Sequence, residues 1–143
     1  LNKNSNLEEA LGWAQRAALT KTYSTLNTLG TAYTKLNRLK EADSTMNEAL
    51  IFANVNQYVN YNRTLITAKR FDRALEILTA AQKKFGDSYI LNSTFMSYHS
   101  AKGDYKKALE FANKALAQAP NDAAKTAMNG NIAKLKEGKD VNQ

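Results

Sequence analysis

Residues 26–50 read LNTLGTAYTKLNRLKEADSTMNEAL, and this stretch decides the fold. Leu29, Gly30 and Tyr33 fall within one turn of a helix. Ala42, Met46 and Ala49 then recur at steps of four and three, which places them on one face of a second helix. Asn37 lies between the two and tolerates the left-handed conformation that often ends a helix. The same signature returns along the chain. Ala10, Ala42, Ala74 and Ala108 form one column, and Ala17, Ala49, Ala81 and Ala115 a second, at intervals of 32, 32 and 34 in both. A large apolar residue (Leu7, Leu39, Phe71 or Tyr105) stands three before each first Ala, and Leu29, Tyr61 and Phe95 stand thirteen before. A period of 32–34 residues shared by every column marks a repeat architecture.

Each unit reads as two helices. LEEALGWAQRAA places Leu7, Ala10, Leu11, Ala14, Ala17 and Ala18 on one stripe, and LKEADSTMNEAL, FDRALEILTAAQ and YKKALEFANKAL are its equivalents. Paired Ala residues seven apart remove side-chain bulk, so that another helix packs close. The turns before these helices centre on Asn37, Lys69 and Gly103, of which Lys69 is the poorest fit to a left-handed backbone. Asp72 and Asp104 are placed in the first turn of their helices, where negative charge is favourable. The register gives one domain over 1–143. It comprises an unpaired second helix at 6–19, full repeats at 22–53, 55–86 and 88–119, a capping helix at 121–136 and a tail at 137–143. Met128, Ile132 and Leu135 form the apolar stripe of the capping helix, and the tail is expected to be polar and frayed. The unpaired first helix and the start at Leu1 point to a fragment or processed form.

Composition narrows the function. The chain has 143 residues, 43% hydrophobic and 23% charged, which suits a folded domain. It has no Cys and one His, so a disulfide scaffold, a thiol nucleophile and a His-pair or thiolate metal site are excluded. No apolar run approaches the roughly 20 residues that span a bilayer. Net charge is +7, but the cations are scattered over helix ends and polar faces, with no interleaved aromatics. That pattern fits solvated surface, not a specific nucleic-acid site. No phosphate-binding Gly loop, nucleophile elbow or carboxylate pair is present, so neither a catalytic centre nor a cofactor is expected.

Residues 26–50 and the segment GDYKKALEFANKALAQAP, 103–120, resemble the tetratricopeptide repeat (TPR) family. Two departures stand out: the intervals of 32 where the family has 34, and a single closing proline, Pro120. The resemblance implies an all-α, right-handed superhelix of antiparallel helix pairs, an α-solenoid. It further implies a non-catalytic scaffold that presents a groove to a protein or peptide partner. Its inner face is lined by first-helix residues opposite the Leu29/Tyr33 stripe: Asn27, Thr31 and Lys35, then Asn56, Val59, Asn60, Arg63 and Thr67, then Ile90, Ser93, Ser97 and Ser100. Short hydroxyl and amide side chains there suit an extended, largely neutral segment held through its backbone.

Family members that bind acidic C-terminal chaperone tails use a clamp of Lys, Arg and Asn. Its positions hold Asn27, Thr31, Asn60, Ile90 and Thr94 here, and only Asn60 fits. The region 6–141 is also similar to the C-terminal repeat part of larger bacterial envelope proteins with an uncharacterised N-terminal domain. That implies a periplasmic or envelope setting, although nothing in the composition excludes the cytoplasm. The rival functions are docking onto the chain's own preceding domain and nonspecific nucleic-acid binding through basic surface.

Remaining singular residues have bland explanations. His99 aligns with Tyr33 and Leu65 and reads as a packed histidine without a catalytic partner. Trp13, Thr45, Ile77 and Phe111 share a column beside Ala14, Met46, Leu78 and Ala112. The large residue beside a small one looks like volume compensation in packing. Trp13 is therefore expected to supply much of the docking energy of its helix. Asn62-Arg63-Thr64 and Asn92-Ser93-Thr94 match the glycosylation tripeptide, but both fall inside helices.

Overall fold

The computed structural model describes residues 3–143. Among them are eight helices and no strand: α1 (Lys3–Ala17), α2 (Tyr23–Lys35), α3 (Leu39–Ile51), α4 (Val55–Thr67), α5 (Phe71–Phe85), α6 (Tyr89–Ala101), α7 (Tyr105–Ala117) and α8 (Asp122–Lys136). The architecture is all-α, with helices packed in consecutive pairs in the manner of a TPR α-solenoid. They fall into two compact units, the first ending at Asn54 and the second running from Val55 to Gln143.

The same backbone device separates the helices of the pairs α2–α3, α4–α5 and α6–α7. Asn37 and Lys69 take φ of 57° and Gly103 takes 78°. At each turn two backbone N–H groups reach back to the orphan carbonyls of the helix just ended. Arg38 N donates to Tyr33 O, Arg70 N to Leu65 O and Asp104 N to His99 O, each at 2.9 Å. Lys69 adopts the left-handed geometry despite its Cβ. Asp104 is the N-cap itself: its Oδ1 accepts from Lys107 N at 3.1 Å. The change of period from 32 to 34 has a local origin. α3 has 13 residues and α5 has 15, while the connections after them, 52–54 and 86–88, are equally long.

In the first unit α2 packs against both α1 and α3. Thr22 and Thr25 cap the start of α2 reciprocally, side chain to backbone in both directions. α2 and α3 approach closely at Gly30, where a Cβ would lie 2.9 Å from Met46 Sδ. Ala42, Thr45, Met46, Ala49 and Leu50 of α3 are buried. α1 differs. Leu11, Ala14 and Ala18 are buried, but Ala10, Trp13 and Ala17 are exposed, Trp13 at 63%. This corrects the expectation that Trp13 docks its helix. In α3, α5 and α7 this column touches the preceding helix at Ala42, Ala74 and Phe111, and α1 has no such helix among the described residues.

In the second unit the first-helix column of Gly30 continues as Asn62 and Met96, and each plays the same part with different chemistry. Asn62 is wholly buried, and its Nδ2 donates to Ala74 O of α5 at 2.6 Å. Met96 joins a core with Ala108, Ala112, Ala115, Met128, Ile132 and Leu135, so that α8 covers the outer side of α7. At the joint before α6, Asn92 Nδ2 donates to Asp87 Oδ1 at 2.8 Å and to Gln118 Oε1 at 2.7 Å. Gln118 Nε2 donates to Asp87 Oδ2 at 2.8 Å and closes the ring. Both Asn62 and Asn92 are interior, which removes them as glycan acceptors in the folded chain.

The last residues are ordered against the unit, not frayed. Gly138 takes φ of 70°, and Lys139 N donates to Lys134 O at 3.0 Å, the same reversal that separates the earlier helices. It sends residues 139–143 back onto α6. Val141 N donates to Ser100 Oγ at 2.9 Å, and Val141 packs against the Met96 core.

Candidate peptide-binding surface

The residues expected to line a groove fall into two sets, one in each unit. In the first unit Asn27, Thr31 and Lys35 lie on successive turns of α2 and line a hollow of about 260 Å³. Its other wall is α1, through Leu7, Ala10 and Ala14. The hollow therefore pairs an apolar side with a polar side. Thr31 Oγ1 donates to Asn27 O at 2.8 Å, so its proton is committed to the helix and its lone pairs face outward. The wall offers donors from the Asn27 amide and the Lys35 ammonium, and acceptors from Asn27 and Thr31.

In the second unit Asn56, Asn60, Arg63 and Thr67 are exposed on α4. Arg63, Thr67 and Ser97 line a hollow of about 480 Å³ with Phe71, Asp140 and Asn142. Ser93 lies half-buried, and its hydroxyl donates to Tyr89 O at 2.7 Å. Thr64 and Thr94 likewise donate to Asn60 O and Ile90 O. Among the expected lining hydroxyls, those of Thr31 and Ser93 are thus committed to their own helix.

Two expected lining residues are not on the surface. Val59 is 1% exposed because α4 packs against both α5 and α6, which widens its buried arc to Tyr58, Val59, Asn62, Leu65 and Ile66. Ser100 is also 1% exposed, on a helix packed against α4, α5 and α7 and covered further by the returning segment. α2 buries only Leu26 and Gly30, which is why its outward set survives intact.

The role of residues 139–143 had no signal in the periodicity. Ser100 Oγ donates to Asp140 Oδ1 at 2.8 Å, Asn142 Nδ2 donates to Ser97 O at 2.9 Å, and Lys134 Nζ donates to Gln143 O at 3.1 Å. Burial opposes ionisation of Asp140. Hydrogen bonds from Asn142 N, Ser100 Oγ and the Asn142 amide, with Lys134 nearby, outweigh it and hold the carboxyl below its ordinary range.

His99 is stacked on Phe111, with centroids 5.3 Å apart, and set edge-on to Tyr98. Burial, then the charge of Lys107, pushes its imidazole below the ordinary value, against a smaller opposing pull from Asp104. It is packed in an aromatic stack, as aligned. Among the described residues no group of three metal-ligating side chains gathers, and no helix is long and apolar enough to cross a membrane.

Residues 23–50 and 97–122 match the tetratricopeptide repeat family, so the chain carries TPR repeats at those residues. The first match is the pair α2–α3. The second runs from the last turns of α6 through α7 to the start of α8. TPR modules are in general protein-interaction scaffolds without catalytic activity, which points to protein partners here. No curated protein matches the chain.

Proposed function

We propose that this chain is a non-catalytic binding module that takes an extended, largely neutral peptide segment on the outward faces of its first helices. The hollow between α1 and α2 carries this reading. Asn27, Thr31 and Lys35 stand opposite Leu7, Ala10 and Ala14. A segment laid there meets amide and ammonium donors for its carbonyls on one side and small apolar side chains on the other. Within the second unit, the exposed Asn60 and Arg63 on α4 offer donors of the same kind. Asn27, Thr31 and Asn60 are short, so they lose little rotamer entropy on binding.

The test is the pair Asn27→Ala and Asn60→Ala, measured against the partner that co-purifies with the protein from its own cell. A clear loss of affinity is expected. Unchanged affinity in a double variant that melts normally places the contact elsewhere.

A second reading has its own observation. Among the described residues Ala10, Trp13 and Ala17 form an exposed second-helix column, whereas its equivalents, Ala42, Thr45 and Ala49 in α3 and Ala74, Ile77 and Ala81 in α5, are all buried. That face is shaped to receive a helix, which fits intramolecular docking onto a preceding part of a longer protein. In the present chain Trp13 then emits at the wavelength of a solvated indole and shifts to the blue when that part is supplied. No blue shift in the longer protein excludes this reading.

A further inference from the structure

The end of α6 that bears Ser97 and Ser100 is already filled, by the chain itself. Residues 140–142 form a tight turn on it. Asp140 Oδ1 accepts from Ser100 Oγ at 2.8 Å, from Asn142 N at 3.0 Å and from Asn142 Nδ2 at 2.7 Å. Ser100 Oγ accepts in turn from Val141 N, and Asn142 Nδ2 donates to Ser97 O. The seat thus recognises an aspartate, the N–H of the next residue, that residue's apolar side chain and an asparagine. A fully buried serine is its central contact.

The segment lies on the seat as a strap. On one side is the hollow of about 480 Å³ shared with Arg63, Thr67 and Phe71. On the other is one of about 600 Å³ lined by Ala101, Gly103, Tyr105 and Lys134. Lys139, Asn142 and Gln143 are exposed, and only Val141 reaches the core. Three hydrogen bonds to α6, two to Lys134 (Lys139 N to its carbonyl, its Nζ to Gln143 O) and one half-buried valine hold residues 139–143, whose backbone freedom is lost on docking. A contact so balanced opens without unfolding the helices beneath it.

We propose that the Ser97–Ser100 end of α6 is a receptor for a short Asp-apolar-Asn turn, occupied in cis by Asp140-Val141-Asn142, and that a partner segment of the same chemistry binds there by displacing it. The proposal rests on the first-helix faces being peptide-binding, as put forward above. It concerns residues separate from Asn27 and Asn60, so the two stand or fall by different variants.

The cis segment competes at an effective concentration on the order of millimolar, so free peptide is added at millimolar concentration and NMR, which reads weak binding, is the suitable assay. The probe is acetyl-Lys-Asp-Val-Asn-Gln-amide, titrated into the 15N-labelled full chain and into the same chain carrying Asp140→Ala and Asn142→Ala. In the double variant the Ser97, Ser100 and Ala101 amides are expected to shift saturably. Wild type should bind at least about tenfold more weakly, by competition from the cis segment. Adding Ser100→Ala to the double variant should abolish the shifts. Equal binding to both chains, no saturable shift in the folded double variant, or shifts indifferent to Ser100→Ala overturns the proposal.

Hydrogen exchange on the wild-type chain gives a measurement independent of any variant. The Val141 amide should exchange at least about a hundredfold faster than those of Phe95 and Met96. Exchange at the rate of these core amides makes the segment a fixed cap and refutes displacement.

Discussion

Ala108→Leu and Ala10→Leu put the same side chain into the same column of two helices and should give opposite results. Ala108 is 0% exposed and sits in the core with Met96, Ala112, Ala115 and Met128. Leucine adds three carbons, which in open space would gain about 0.8 kcal/mol each on burial. No such space exists at Ala108, and forcing extra methylenes into a packed core costs typically about 1–3 kcal/mol. We expect a destabilisation of about 2 kcal/mol and a fall in Tm of roughly 4–8 °C. Ala10 is exposed, at the wall of the open hollow between α1 and α2, where a larger side chain has room, so Leu there should change stability by no more than about 0.5 kcal/mol. Urea unfolding followed by circular dichroism, with the m-value held as a check on two-state behaviour, measures both. A silent Ala108→Leu would refute the close packing of α6 on α7. A cost at Ala10 as large as that at Ala108 would show that the face of α1 is filled.

Lys69→Gly should stabilise the second unit by about 0.5–1 kcal/mol in the same urea assay, because relief of left-handed strain at φ 57° exceeds the extra unfolded-state entropy of glycine; a loss of stability would count against strain at that turn. Trp13→Ala should move the urea midpoint by less than about 0.5 kcal/mol, since the indole is 63% exposed, and a larger loss would mean that Trp13 is covered. Asp140 has a depressed folded pKa, so the stability that its carboxylate lends to docking of residues 139–143 is present above the ordinary Asp value. It should be lost as pH falls through the depressed one; exchange of the Val141 amide, corrected for intrinsic pH dependence, should rise only in that acid range, and a rise near neutrality would contradict this. A five-residue acidic C-terminal peptide should bind no tighter than about millimolar by calorimetry, because Ile90 and Thr94 occupy clamp positions and Thr94 is itself buried; micromolar affinity abolished by Arg63→Ala would refute that.

What the sequence determined by itself is local. The period of Ala10, Ala42, Ala74 and Ala108 announces helix pairs, and the turns at Asn37, Lys69 and Gly103 announce where each pair reverses. Both depend on interactions within a few residues: helical spacing, and the tolerance of a single backbone position for positive φ. α2 buries only Leu26 and Gly30, so most of its surface is left polar and outward.

Tertiary structure decided whether each face has a neighbour. Periodicity places Trp13 and Phe111 in one column but does not say that one meets solvent and the other stacks on Phe95 and His99. The family resemblance puts Val59 and Ser100 on the inner face, yet both are covered because α4 and α6 each meet more than one other helix. The return of Asp140-Val141-Asn142 onto α6 joins residues about forty positions apart through single hydrogen bonds. A helical repeat pattern reports which side of a helix is apolar. Burial depends on what lies across from that side, and this is a property of distant chain brought together only by folding.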